Sequence, residues 1–327
     1  MRPALLLLLL CAGRTRAEDK LLPTDLLLPG QVLLNLDYVY TRVDEKLSSP
    51  ILTRPADVTE RGHQGLVTLG IGLLERVEAQ VQLPYVFNDR VLVRGDTAAG
   101  GLALDSLSRG QGDVSTQVRF ALTDPQPDRS PKAVLGLLGV FPSGRRKTGR
   151  PEIDLAGARL QDRDMGAPGD GVVSYGASLS VSKAFEGAKP YAVGSFLRGG
   201  RARHNGVDEY YADQGTVQAG LQLQASERVT LDLSGLGFYS GPEVHEDSGA
   251  RVRVERALGA GAAVAVIVEV APRIFLTLGT RYATFRPQIV DLDAGSRVSG
   301  LRAFYPNAGL HVLLGGPGSE RPLWSRY

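Results

Sequence analysis

Residues 66–87 read LVTLGIGLLERVEAQVQLPYVF. After Glu75 and Arg76 the stretch alternates with a period of two, Val77, Ala79, Val81, Leu83 and Tyr85 falling on one side and Glu78, Gln80, Gln82 and Pro84 on the other. That is the periodicity a β-strand imposes. Only Leu74, Glu75 and Arg76 join this segment to the apolar one before it, so the two form a tight hairpin.

Working outward, such segments run from about Gln31 to Leu314 and their connectors alternate in length. Polar stretches at 43–64, 88–111, 142–171, 199–214, 240–250 and 284–301 take turns with short links at 74–76, 123–132, 184–189, 225–228 and 270–273. A soluble sandwich has turns of mixed length at both ends. A transmembrane barrel puts short turns on the periplasmic rim and long loops outside. The pattern predicts an all-β chain, a transmembrane antiparallel up-and-down β-barrel of about 12 strands, in the bacterial outer membrane.

The faces agree with the connectors. The first segment sets Val32, Leu34, Leu36, Tyr38 and Tyr40 against Asn35, Asp37, Val39 and Thr41. The fourth sets Val114, Thr116, Val118, Phe120 and Leu122 against Ser115, Gln117, Arg119 and Ala121. Later segments repeat the split, with Gln218, Gln222 and Asp232 on their polar sides. Lipid takes the apolar face. Ala257–Val270 (ALGAGAAVAVIVEV) is too short to span as a helix, which needs about 20 residues, and reads as strand ten, with Gly259, Gly261, Ala263 and Ala265 leaving space in the lumen. Tyr38, Tyr40, Tyr85, Phe87, Phe141, Phe238, Tyr239, Tyr282, Phe304 and Tyr305 fall near the long-loop ends of strands, where an interfacial aromatic girdle belongs.

Residues 1–17 have the parts of a secretory signal peptide: Arg2, an apolar run from Leu5 to Leu10, and Thr15-Arg16-Ala17 before Glu18. The chain's one cysteine, Cys11, lies within it, so the exported chain has no thiol to mispair in an oxidising compartment. Residues 18–30 then form a periplasmic lead-in, 31–314 the barrel and 315–327 a tail whose Pro317 and Pro322 disfavour a strand. A net charge of +2 over 327 residues leaves no electrostatic footprint for nucleic acid.

Three short pieces carry a resemblance: LLERVEAQVQLPYVF at 73–87, Gly110-Gln111-Gly112-Asp113-Val114 opening the next strand, and LGLLGVFPSG at 135–144. In these the chain resembles the outer-membrane barrels grouped as the MetA-pathway-of-phenol-degradation, or transporter, family. The resemblance implies a bacterial outer-membrane location and uptake of small, often aromatic or hydrophobic, compounds. It brings no catalytic residues, and the proline-containing tail departs from the family's closing strand.

The function expected is therefore a porin-like channel for passive uptake of small solutes, with a closed structural or surface-binding barrel as the alternative. Its expected pore lining is Asn35, Asp37, Glu78, Gln80, Gln82, Gln117, Arg119, Gln218, Gln222, Asp232, Arg281 and His311. Charges of both signs make no single-sign ring and so no strong ion selectivity. His63, His204 and His245 fall in expected loops and only His311 in a strand. No nucleophile is tied to a base and no histidines stand at metal-ligand spacing, so the expectation is no enzyme, no cofactor and no metal. Asp154–Asp170 is read as a solvated acidic loop rather than a Ca²⁺ site, and Arg94-Gly95-Asp96 as a chance tripeptide. The partners expected are outer-membrane lipid, the barrel-assembly machinery and a small-molecule solute.

Overall fold

The computed structural model describes residues 25–123, 131–144, 152–155, 158–160, 171–204, 207–247, 250–291 and 295–315. Residues 1–17, expected as a signal peptide, most of the expected tail, and Asp162, Asp164 and Asp170 lie outside the described residues. Twelve strands form the wall: β1 Val32–Ser48, β2 Ala56–Leu74, β3 Val77–Thr97, β4 Val114–Ala121, β5 Lys132–Phe141, β6 Ser174–Ser182, β7 Ala188–Arg198, β8 Gln214–Ser226, β9 Val229–Ser240, β10 Ala257–Ala271, β11 Ile274–Phe285 and β12 Ser296–Leu314. Each pairs antiparallel with the next, and β12 pairs with β1 from Val32↔Leu314 to Ser48↔Arg297. The sheet closes on itself and the wall has no free edge, the one way a sheet satisfies its backbone in lipid.

The outer face is apolar where the bilayer lies. Leu36, Leu69, Ile71, Val81, Leu83, Leu137, Leu179, Val217, Leu233, Leu278 and Leu310 are all exposed, a pattern that would aggregate in water but that a hydrocarbon environment covers. The short connectors are shorter still than the sequence suggests: β2 and β3 are joined by Glu75 and Arg76, β8 and β9 by residues 227–228, and β10 and β11 by 272–273. Arg273 takes φ 68° to close the last.

The long connectors are corrected. The polar stretch expected at 43–64 is largely strand, since β1 runs to Ser48 and β2 begins at Ala56. β3 continues to Thr97 and folds back as Gly100–Gln111. Residues Arg201–His204, Val207–Tyr210, Glu243–Asp247 and Ala250–Val254 build a separate four-stranded sheet. Past the bilayer the outer face meets water, so charges such as Asp44 and Lys46 appear there while Val43, Leu47 and Val58 are buried inside, and the membrane pattern is lost while the backbone ladder continues. His63, expected in a loop, is in β2 for this reason.

The aromatic girdle is corrected at two positions. Tyr38, Tyr85, Phe87, Phe141, Tyr239, Tyr282 and Phe304 are exposed, but Phe238 and Tyr305 are buried in an inner apolar cluster. Neighbours on a strand point to opposite faces, so Phe238-Tyr239 and Phe304-Tyr305 can each give only one ring to lipid. The small residues of β10 are matched from within: a Cβ on Gly259 would stand 2.6 Å from the Phe285 ring, which stacks on Phe238 with centroids 5.7 Å apart. The space expected at Gly259 is taken up by these rings.

Leu69 lies mid-strand on the lipid face. Leu69→Arg is expected to destabilise the folded protein by about 2–4 kcal/mol, the cost of a guanidinium near the bilayer midplane, measured by urea unfolding in phospholipid vesicles.

Candidate functional site

Inside the barrel the inner face divides into two levels. Toward the short-turn rim it is polar. Asn35, Asp37, Glu78, Gln80, Gln117, Arg119, Gln222, Asp232, Arg281 and His311 are buried there, and Gln82 and Gln218 half-buried. The parity of β1, β3, β4, β8, β9, β11 and β12 puts these side chains on the face opposite the lipid-facing leucines and valines.

Most are hydrogen-bonded, to one another or to neighbouring hydroxyls. Arg119 Nη1 donates to Glu78 Oε1 at 3.1 Å, and the Gln80 amide donates to the same oxygen. Gln117 Nε2 donates to Ser178 Oγ at 3.1 Å. Asp232 accepts from Tyr191 Oη at 2.7 Å and from Gln222 Nε2 at 3.0 Å, while Gln218 Nε2 donates to Tyr191 Oη at 2.9 Å. Ser115 Oγ donates to Gln82 Oε1 at 3.3 Å. His311 faces Asn35 across the β1–β12 seam, and its Nε2 lies 3.9 Å from Asp37 Oδ1, beyond hydrogen-bond reach. The Asn35 amide, which is fully buried, has no protein partner on either atom among the described residues.

Toward the long loops the inner face turns apolar. One cluster runs from β9 round to β3, with Leu236 and Phe238 at one end, Ala283, Tyr305 and Ala303 in the middle, and Val43, Val58 and Val93 at the other. Val39, Val91, Ala263 and Phe285 pack against it. Acidic side chains interrupt the wall of β1–β3 at this level: Glu45, Glu60 and Asp89 are buried. Glu45 lies past the girdle, and burial pushes its carboxyl up to about 7, because the charged form has lost its water.

The residues leading into β1 turn into the mouth of the short-turn rim. Leu27 is buried against Ile267, Phe275, Leu313 and Leu33, on β10, β11, β12 and β1. Its N–H donates to Glu78 Oε2 at 2.7 Å on β3. Asp25 reaches the other side of the mouth, where Lys132 of β5 lies at 3.1 Å and Lys189 of β7 at 3.2 Å. Gly30 N–H donates to Gly72 O and Gly72 N–H to Gln31 O, both at 2.9 Å. Glycine at 72 is required by this docking, since a Cβ would fall 2.1 Å from Leu28 O. Residues 25–31 are thus strapped across the mouth by an apolar anchor, a buried carboxylate and an ion-pair trio.

The apolar upper level and the contacts of the strap escaped the sequence reading. The apolar upper level was hidden because Val43, Val58 and Val91 fell in stretches read as loop. The strap's contacts were hidden because EDKLLPTDLLLPG has no period and its partners lie far along the chain. Its one legible signal was Leu26-Leu27-Leu28, an apolar run outside any strand.

No family model matches the chain, and no curated protein does. Solved structures do. The COG4313 outer membrane channel from Pseudomonas putida F1 superposes with a TM-score of 0.59 at 13% identity, over 89% of this chain and 98% of that one. The fold is that of an outer-membrane β-barrel. Its lipid-facing band and closed wall place it in the outer membrane. The NanC porin (TM-score 0.44, 10% identity, 85% of this chain and 98% of that one) and the TodX monoaromatic hydrocarbon channel (0.41, 11%, 88% and 90%) are more distant in shape. The expectation of a non-enzyme is corrected: a barrel fold can host unrelated functions and leaves enzyme status undecided.

The Arg119–Glu78 pair gives a stability test. Arg119→Met strands a buried carboxylate and is expected to cost about 3–5 kcal/mol. Adding Glu78→Gln should restore most of it in the same urea titration, since the charge needing compensation is then gone.

Proposed function

We propose that the chain is a conduit for small hydrophobic solutes, aromatic ones among them, whose passage is controlled by the strap at residues 25–31. The observation that carries this reading is the division of the inner face. An apolar level on the long-loop side suits capture of a solute that water expels. The polar belt beneath it offers hydrogen bonds but no single-sign ring, which suits release of a neutral molecule rather than conduction of one kind of ion. Buried polar groups normally find a partner, and Asn35, whose side chain has none among the described residues, is the belt residue best placed to bond solute or solvent.

The resemblance to the MetA-pathway-of-phenol-degradation family supports this reading, and the barrel of similar fold from Pseudomonas putida F1 is named a channel. Asn35, Asp37, Glu78, Gln80, Gln82, Gln117, Arg119, Gln218, Gln222, Asp232, Arg281 and His311 are proposed as the lining a solute meets below the apolar level. Insertion by the barrel-assembly machinery after cleavage of residues 1–17 is part of the same proposal.

A closed structural or surface-binding barrel is the second reading. It is favoured by the pairing within the belt, where Tyr191, Asp232, Gln218 and Gln222 form one bonded group, and by the four-stranded sheet built from two long connectors.

Liposome swelling separates the two. Asp25→Ala with Leu27→Ser removes the ion-pair trio and the apolar anchor together. The double variant is expected to raise the swelling rate with a small neutral aromatic solute several-fold over the unaltered chain. No swelling from either protein, both showing the gel shift on boiling of a folded barrel, would sink the conduit reading.

A further inference from the structure

On the outer surface, where β1, β2 and β3 leave the bilayer, three arginines stand abreast. Arg42 is directly opposite Arg61 in the β1–β2 ladder, and Arg61 directly opposite Arg90 in the β2–β3 ladder. All three are exposed and outward, on the opposite face from buried Val43, Glu60 and Asp89. Like charges directly opposite one another destabilise a sheet. Carboxylates relieve only the ends of the row: Asp44 accepts from Arg42 Nε at 2.9 Å, and Asp105 accepts from Arg90 Nε at 2.9 Å. Arg61, between them, has no carboxylate among the described residues.

The height of the row is set by the strands. Phe304 sits opposite Arg42 and Tyr282 opposite Phe304, so the arginines continue a row that the aromatic girdle begins. One outward step toward the bilayer, Tyr40 is paired with His63, their ring centroids 5.1 Å apart, and Tyr38 Oη lies 2.5 Å from His63 Nδ1. The climb from Val32 to Arg42 along a strand tilted by roughly 40° is about 25 Å, the thickness of the apolar band of such barrels. Aromatic rings mark the boundary of the hydrocarbon, and the layer just beyond it in the outer leaflet holds lipid headgroups.

We propose that Arg42, Arg61 and Arg90 form a binding site for the phosphates of a phosphorylated glycolipid of the outer leaflet, Arg61 holding the phosphate between its neighbours and Tyr40 and His63 packing against the sugar and upper acyl chains. The chemistry is the forked guanidinium–phosphate bond, for which arginine is better shaped than lysine. The like-charge cost of the row is offset once an anion lies over it.

The test is binding of lipid A to the refolded chain from residue 18 onward in detergent micelles, read by native mass spectrometry. The unaltered protein should retain bisphosphorylated lipid A, hold monophosphorylated lipid A more weakly and not hold the dephosphorylated form. Arg61→Gln should weaken binding roughly five-fold, the effect of one basic residue beside an anionic surface. Arg42→Ala/Arg61→Ala/Arg90→Ala should abolish it. Boiling-dependent gel mobility establishes that each variant is folded, and Arg61→Gln alone carries the test if the triple variant is not. Equal retention by folded Arg61→Gln and the unaltered chain, equal binding of dephosphorylated lipid A, or saturable binding of inorganic phosphate that competes with the lipid would each overturn the proposal.

Discussion

Everything in this molecule depends on the seam between β1 and β12. Hydrocarbon offers no partner to a peptide N–H or C=O, so a sheet can stand in a bilayer only if its first and last strands satisfy each other. The ladder from Val32↔Leu314 to Ser48↔Arg297 does so. It also fixes which side chains face in. Once Leu36 and Leu310 face lipid across the seam, Asn35, Asp37 and His311 must face the lumen, and a slip of one residue would exchange the two sets.

That coupling explains how much was legible in the sequence. The alternation of Val77–Tyr85 against Glu78–Gln82 is a direct consequence of lipid on one side and a polar lumen on the other, and the tight links at 74–76 and 270–273 follow from hairpins that need no more than a turn. Where the constraint lapses, so does the signal. β1 and β2 extend past the bilayer as Asp44–Lys46 and Ala56–Arg61, where the outer face meets water, the inner face is largely apolar and the ladder continues without its membrane pattern. The girdle erred at Phe238 and Tyr305 because composition near a strand end was weighed above parity. The strap's contacts were out of reach, since Asp25 finds Lys132 and Lys189 more than a hundred residues away.

The interior is closer to a protein core than to an open channel. A barrel of twelve strands is narrow, and here its polar level is stitched by Arg119–Glu78 and by the Tyr191–Asp232 group, while its apolar level packs like the centre of a soluble domain. Buried charges that are mutually bonded are costly to separate, so movement is expected outside the wall. The strap adds no strand to the wall and is held by Leu27, by the Glu78 carboxylate, by Asp25 with Lys132 and Lys189, and by two backbone bonds with Gly72.

The seam is also where the account is most directly checked. Asp44 and Arg302 face each other across it, outward and beyond the girdle, in reach of a water-soluble oxidant. In a chain begun at residue 18, without Cys11, Asp44→Cys with Arg302→Cys should form a disulfide that ties residues 44–302 into a loop of altered mobility on boiled, unreduced gels. A folded double variant that stays uncrosslinked under oxidation would contradict the closure on which the rest of the structure stands.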